Sequence, residues 1–157
     1  MRAIIVYDSE FGNTKKIAEA IAVGIDNCKA EVLHVSEAGP GILDRVSLLF
    51  VGSPTRAFKP TPAIMKFIDA IPEGAIDDTA VAAFDTRIAG DDIKKGFFRF
   101  IVESGGYAAN PIAEKLRKKG GTLILPPEGF RVEGEKGPLK EGETERATLW
   151  AKMACHA

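Results

Sequence analysis

Apolar and polar positions alternate with two different periods along the chain, and each change of period marks a new element. Residues 2–8 (RAIIVYD) are a nearly unbroken apolar run, as in a parallel strand covered on both faces. Residues 15–27 then place Ile17, Ala18, Ile21 and Ile25 at helical spacing and leave Lys15, Lys16 and Glu19 on the polar side. Strand character returns at 30–35 (AEVLHV) and 46–52 (VSLLFVG), separated by a Gly39-Pro40-Gly41 turn and a short 42–45 segment. Residues 61–71 read as a helix with Pro62 in its first turn and Ile64, Phe67, Ile68 and Ile71 on one face. A fourth strand is expected at 80–86 (AVAAFDT), and a helix at 108–119 closed by Gly120-Gly121. A fifth strand opens at 122–125, is bent by Pro126-Pro127 and resumes at 129–132. The last helix spans 141–155, with Ala147, Trp150 and Met153 expected to face inward. Strands alternating with helices, without an internal repeat, predict one α/β domain over residues 1–157: a doubly wound three-layer sandwich around a five-stranded parallel sheet.

Ligands on such a sheet bind beyond the carboxyl ends of the strands, where strand order reverses. Three loops reach that edge, at residues 9–14, 52–60 and 85–90, and the first two meet if strands one and three are neighbours. The first loop has the composition of a phosphate cradle. It offers the Ser9 and Thr14 hydroxyls, the Asn13 amide and several backbone N–H groups at a helix start, where an anion is favoured. The alternative is a Gly-Asn turn in which Thr14 merely begins a helix. A P-loop is excluded by spacing, since no glycine stands at the required distance before Gly12, and no GxGxxG pattern occurs.

Composition narrows the partners. The 157 residues are 45% hydrophobic, enough for one substantial core. With 21 basic and 22 acidic residues the formal charge is −1, so no overall field draws the chain to nucleic acid or an acidic membrane. No apolar run approaches the roughly 18 residues that cross a bilayer, and the N-terminus reads as a strand rather than a leader. A cytoplasmic location follows as the expectation, with a monomer or small homo-oligomer. Lys115, Arg117, Lys118 and Lys119 complement the carboxyl end of a helix, and Glu133, Glu135, Glu141, Glu143 and Glu145 read as a solvated face. Cys28 and Cys155 lie far apart in sequence and outside any CxxC pattern, so they are expected to be plain thiols. His34 and His156 form no evident catalytic pair.

The stretch Tyr7-Asp8-Ser9-Glu10-Phe11-Gly12-Asn13-Thr14 resembles the FMN-phosphate loop of flavodoxins, whose usual form is [ST]-x-[ST]-G-N-T. Gly52-Ser53-Pro54-Thr55-Arg56 is similar to the second flavin loop of flavodoxin-like domains in flavodiiron proteins and tetrameric FMN quinone reductases. Gly106-Tyr107-Ala108-Ala109-Asn110 and the helix after it stand where the family has its fourth helix, and the chain looks like the short type. The resemblance implies strand order 2-1-3-4-5 and FMN as cofactor. It assigns Ser9, Phe11, Gly12, Asn13 and Thr14 to the phosphate, with Glu10 in the same loop and Phe11 contributing only its N–H. Pro54, Thr55, Arg56, Ala57 and Phe58 would line one edge of the isoalloxazine ring, and Asp85, Thr86 and Arg87 the other.

Three functions are compatible with this resemblance. The preferred one is an electron carrier between redox partner proteins. The second is an FMN-dependent NAD(P)H:quinone or flavin oxidoreductase in which Arg56 and Arg87 hold the second substrate, and the third is a flavin-free interaction module. The chain also departs from the family pattern. Its only tryptophan is Trp150 in the last helix, no glycine occurs between Pro54 and Pro60, and it lacks a strong acidic charge. Residues 90–106 are longer than the corresponding loop of a short flavodoxin. Phe97, Phe98, Phe100 and Ile101 could form a lid, a partner surface or a subunit contact there, although an extra amphipathic helix is the simpler expectation.

Overall fold

The computed structural model describes residues 1–88 and 107–157, so the segment expected at 90–106 lies outside the described residues. The strands are β1 (Arg2–Tyr7), β2 (Lys29–His34), β3 (Leu48–Pro54), β4 (Ala80–Ile88), β5 (Thr122–Leu123) and β6 (Glu128–Val132). The helices are α1 (Asn13–Gly24), α2 (Pro62–Asp69), α3 (Ala109–Lys118) and α4 (Glu143–Cys155), with short 3-10 turns at Val35–Glu37 and Pro40–Leu43. Strand order is β2-β1-β3-β4-β5, every pair is parallel, and β6 also pairs with β4. The predicted architecture and order are therefore present. The expected fifth strand is two strands on one edge: β5 pairs with Ala80 and Val81, and β6 resumes beside residues 84–88. Pro126 and Pro127 lack the N–H a ladder needs, which separates the two pieces.

Side chains of successive strand residues point to opposite faces, and each face receives its own helix pair. Ala3, Ile5, Tyr7, Phe50 and Phe84 pack with Ile17 and Ile21 of α1 and with Ala147, Trp150 and Ala151 of α4. Ile4, Val6, Leu49, Val51 and Val81 pack with Ile64 and Ile68 of α2 and with Ile112 and Leu116 of α3. Trp150 is core, edge-on to Phe50, Phe130 and Phe84 at centroid distances of 5.4, 5.9 and 6.3 Å. Met153 departs from expectation: it is 60% exposed, while Ala147, Trp150, Ala151 and Ala154 are buried. The buried stripe of α4 follows steps of three and four that end on Ala154, and Met153 lies one residue off that line.

Gly142, at φ 88°, precedes α4 without a side-chain cap, and the first residue of the helix ties the helix start to β6. The Glu143 carboxylate accepts the Arg131 N–H at 2.6 Å and the Arg146 guanidinium at 2.9 and 2.8 Å. Burial pushes this carboxyl up, but the bonds from Arg146 and Arg131 outweigh it and hold Glu143 below its ordinary 4.5. A depressed carboxyl stabilises the fold above the unfolded value, and that contribution fades as pH falls through the native pKa. Glu143→Gln is expected to cost about 1–2 kcal/mol at neutral pH. The deficit should shrink below pH 4.5 in urea titrations; a constant deficit down to pH 3 contradicts the assignment.

Candidate functional site

β1 and β3 are neighbours in register Tyr7↔Gly52, and β3 and β4 in register Pro54↔Thr86. The three loops at their carboxyl ends consequently converge. Asp8 N–H donates to the Gly52 carbonyl at 3.1 Å, and Thr55 N–H to the Thr86 carbonyl at 2.9 Å, so the ladders hold the loop roots together.

The first loop turns on Gly12, which sits at φ 91°, a left-handed conformation that costs glycine little. Ser9 N–H donates to Asp8 Oδ1 at 2.9 Å, and Gly12 N–H donates to Ser9 Oγ at 3.0 Å. The Ser9 hydroxyl thus closes the turn from inside. No side chain caps α1, and the N–H groups of Phe11, Asn13 and Thr14 have no acceptor among the described residues. Asn13 and Thr14 are nevertheless buried, at 8% and 1% exposure. Free donors on buried residues at a helix start make a cradle for an anion, built without a cation. Thr14 Oγ1 shares a hydrogen bond with Thr86 Oγ1 at 2.9 Å, tying the first loop to the end of β4.

The second loop is a tight hairpin. Arg56 and Lys59 exchange N–H···O bonds of 2.8 and 2.9 Å around Ala57 at φ 49° and Phe58 at φ 65°. Left-handed φ at both central positions usually selects Asn-Gly, so Ala57 and Phe58 carry strain on the order of 1 kcal/mol each. The surroundings hold them there. Phe58 lies edge-on to Tyr107 at 6.3 Å, Thr61 N–H donates to Ser53 Oγ at 2.9 Å, and Ala108 N–H reaches Thr55 Oγ1 at 3.4 Å. Arg56 forms an ion pair with Glu10, which links the second loop to the first across the crevice.

The third loop carries a buried charge. Asp85 is fully buried, and its carboxylate accepts Arg87 Nε and Nη2 at 2.7 Å each and the Ala109 N–H at 2.8 Å. Burial raises its carboxyl above the ordinary value, against the lowering pull of Arg87 and of the Ala109 N–H. Arg87, so anchored, lies 3.8 Å over the Tyr107 ring. Tyr107 is itself buried, and its hydroxyl has no hydrogen-bond partner among the described residues.

One crevice brings together Ser9, Glu10, Phe11, Asn13, Thr14, Pro54, Thr55, Arg56, Thr86 and Arg87. Gly12 is not among the lining residues and makes the left-handed turn between Phe11 and Asn13, which are. Ala57, Phe58 and Asp85 stand behind the crevice: the first two form the hairpin tip, and Asp85 faces inward to hold Arg87. Sequence reasoning missed Ile88, Val132 and Glu135, which complete the wall. It also missed the return of the chain after β6, where Glu133 N–H bonds the Pro138 carbonyl at 2.9 Å. That turn delivers the Lys136 carbonyl to Asn13 Nδ2 at 3.2 Å. The available signal was the glycine-rich stretch Gly134-Glu135-Lys136-Gly137-Pro138, which leaves the sheet at the same edge as the other loops. His34 Nε2 lies 3.3 Å from Asp8 Oδ1, and its Nδ1 meets Ser36 Oγ at 2.7 Å, so the ring braces the root of the first loop. Among the described residues no cluster of His, Cys, Asp and Glu suited to a metal occurs, and no helix is long and apolar enough to cross a membrane.

Comparison with known proteins agrees with this geometry. A family model described as Flavodoxin matches residues 5–150. An uncharacterised protein of Methanocaldococcus jannaschii, MJ0298, is 30% identical over 125 residues, covering 79% of this chain and 71% of that protein. Among solved structures, a flavodoxin from the domain Archaea superposes with a TM-score of 0.74 at 25% identity, covering 99% of this chain and 97% of the other. Rubredoxin oxygen:oxidoreductase of Desulfovibrio gigas gives a TM-score of 0.75 at 17% identity, with 99% of this chain matching 35% of that one, a likeness of fold.

Proposed function

The chain belongs to the flavodoxin family, and from that premise we propose that it is an FMN-binding electron carrier working between redox partner proteins. The observation that carries this reading is the cradle at the start of α1, where buried Asn13 and Thr14 present free N–H donors. A phosphate monoester fits such neutral donors, which supply charge-assisted hydrogen bonds from fixed backbone positions. FMN supplies the redox chemistry, while the protein binds and tunes it. The flavin phosphate is assigned to the N–H groups of Phe11, Asn13 and Thr14 and to the Asn13 amide. Pro54, Thr55 and Arg56 flank the ring on one side, and Thr86 and Arg87 on the other. Glu10 compensates the Arg56 charge and Asp85 that of Arg87, which leaves the Glu135 carboxylate as a further charge on the crevice wall.

The phosphate assignment is tested by the pair Asn13→Ala, Thr14→Val. FMN affinity is expected to fall about 30-fold or more while riboflavin affinity changes by less than about threefold, because charged acceptors lose the most when donors go or shift. Equal losses for the two ligands would contradict it. The two paired arginines on the crevice wall are the feature that favours the alternative oxidoreductase. Anaerobic titration separates these readings: two resolved one-electron steps support the carrier, whereas one two-electron step with NAD(P)H and turnover of a quinone supports the enzyme.

A further inference from the structure

The two segments that carry the cysteines, distant in sequence, are bonded to each other at the end of the sheet opposite the crevice. Cys28 lies in the turn leading into β2, and Cys155 is the last residue of α4. Both are free and half-buried, and both pack against the apolar cluster beneath α1 and α4. Their neighbours are already bonded to one another. The Asn27 amide donates to the Cys155 carbonyl at 3.2 Å, and His156 Nε2 faces Asp26 Oδ1 at 3.7 Å. The chain leading into Cys28 is thus tied to the carboxyl end of α4 on both sides of Cys155. Burial, chiefly, pushes the Cys155 thiol up, and the proximity of Cys28 adds to the effect.

We infer that Cys28 and Cys155 are a redox-responsive pair that closes into an intramolecular disulfide when the protein meets hydrogen peroxide. The Cys28 thiolate attacks one peroxide oxygen, the O–O bond breaks, and the departing hydroxide takes up a proton to leave as water. Cys28 is then a sulfenic acid. The Cys155 thiolate attacks that sulfur, the S–O bond breaks, and a second water leaves as the S–S bond forms. The two sulfurs give up two electrons, the peroxide is reduced to two waters, and the thiol protons end in those waters. Cys155 occupies the terminal turn of a helix, where the backbone adjusts most readily to disulfide geometry. The bond would clamp the end of α4 to the α1–β2 turn and leave the FMN crevice, at the other edge, unaltered.

The test uses the intact chain, treated with excess hydrogen peroxide, quenched, alkylated and measured without reductant. The expected product is a monomer lighter by about 2 Da, with no alkylatable thiol and with the Cys28 and Cys155 peptides linked. Its thermal midpoint should rise by on the order of 5–10 °C over the reduced protein and return with dithiothreitol. Cys28→Ser and Cys155→Ser should each abolish both the link and the shift while binding FMN as the parent does. Mass gains in steps of about 16 Da on the cysteines of unlinked Cys28 and Cys155 peptides, covalent dimers alone, or thiols that survive the treatment overturn the inference. So does a midpoint shift that persists in either serine variant.

Discussion

Gly52→Ala is expected to lower folding stability by about 3 kcal/mol, a cost at the upper end of overpacking effects. Gly52 is buried in β3, paired with Tyr7 on one side and Phe84 on the other. A Cβ at this position would overlap the Phe84 ring. That ring cannot swing away, since Phe84 is wholly buried and lies edge-on to Phe130 at 6.4 Å and Trp150 at 6.3 Å. The substitution must therefore push β3 from β4 or distort the aromatic cluster, and interiors this dense yield little. The Gly52 carbonyl also receives the Asp8 N–H at the root of the first loop, so weaker FMN binding should accompany the loss. Urea denaturation with and without FMN measures both effects. A stability loss below about 1 kcal/mol would show that the Phe84 ring has room the packing denies it.

Asp85→Ala is expected to cost a similar amount, about 3 kcal/mol, by another route. It would leave the Arg87 guanidinium and the buried Ala109 N–H without the acceptor that both now share. Breaking a buried ion pair on one side typically costs about 3–5 kcal/mol, and the 22% exposure of the Arg87 side chain places this case at the low end. Asp85→Asn keeps an acceptor in place and should lose about half as much. The two variants also differ from the parent in their response to pH. Because burial holds the native Asp85 carboxyl above 3.8, the folded state takes up this proton before the unfolded chain does. The parent should therefore gain stability relative to Asp85→Asn as pH falls from the native pKa toward 3.8, and above that range the difference should be flat. FMN affinity should drop in both variants, since Arg87 loses the anchor that holds it over Tyr107 at the crevice wall. Unchanged stability together with unchanged FMN affinity would remove Asp85 from any role in positioning.

Much of this molecule is written in local patterns. The buried run of β1, the helical spacing of α1 and α2 and the glycine after Phe11 are properties of a few consecutive residues, and each led to the element found there. Boundaries moved by a few residues, as when β3 ran on to Pro54 rather than ending at Gly52, because its ladder with β4 continues past the apolar stretch. The donor-rich turn at residues 9–14 was legible for the same reason as the strands: its donors lie within one turn of chain, so spacing alone places them together.

What local pattern could not supply was every pairing between distant segments. Asp85 was read as lining the crevice, yet its carboxylate faces inward, where the half-buried Arg87 guanidinium and the Ala109 N–H both donate to it. The Glu10–Arg56 tie, the seat of Asn13 against Lys136 and the bond from Asn27 to the Cys155 carbonyl each join residues that no periodicity relates. Met153 faces outward because packing against α1 and the sheet, rather than hydrophobicity, chose which face of α4 is buried. By itself the sequence determined the elements, their alternation and the donor-rich turn, since those depend on backbone geometry over a few residues. Only the tertiary structure decided which charges are paired, which loop wall closes the crevice and which side chains are buried, because long-range packing and desolvation set those outcomes.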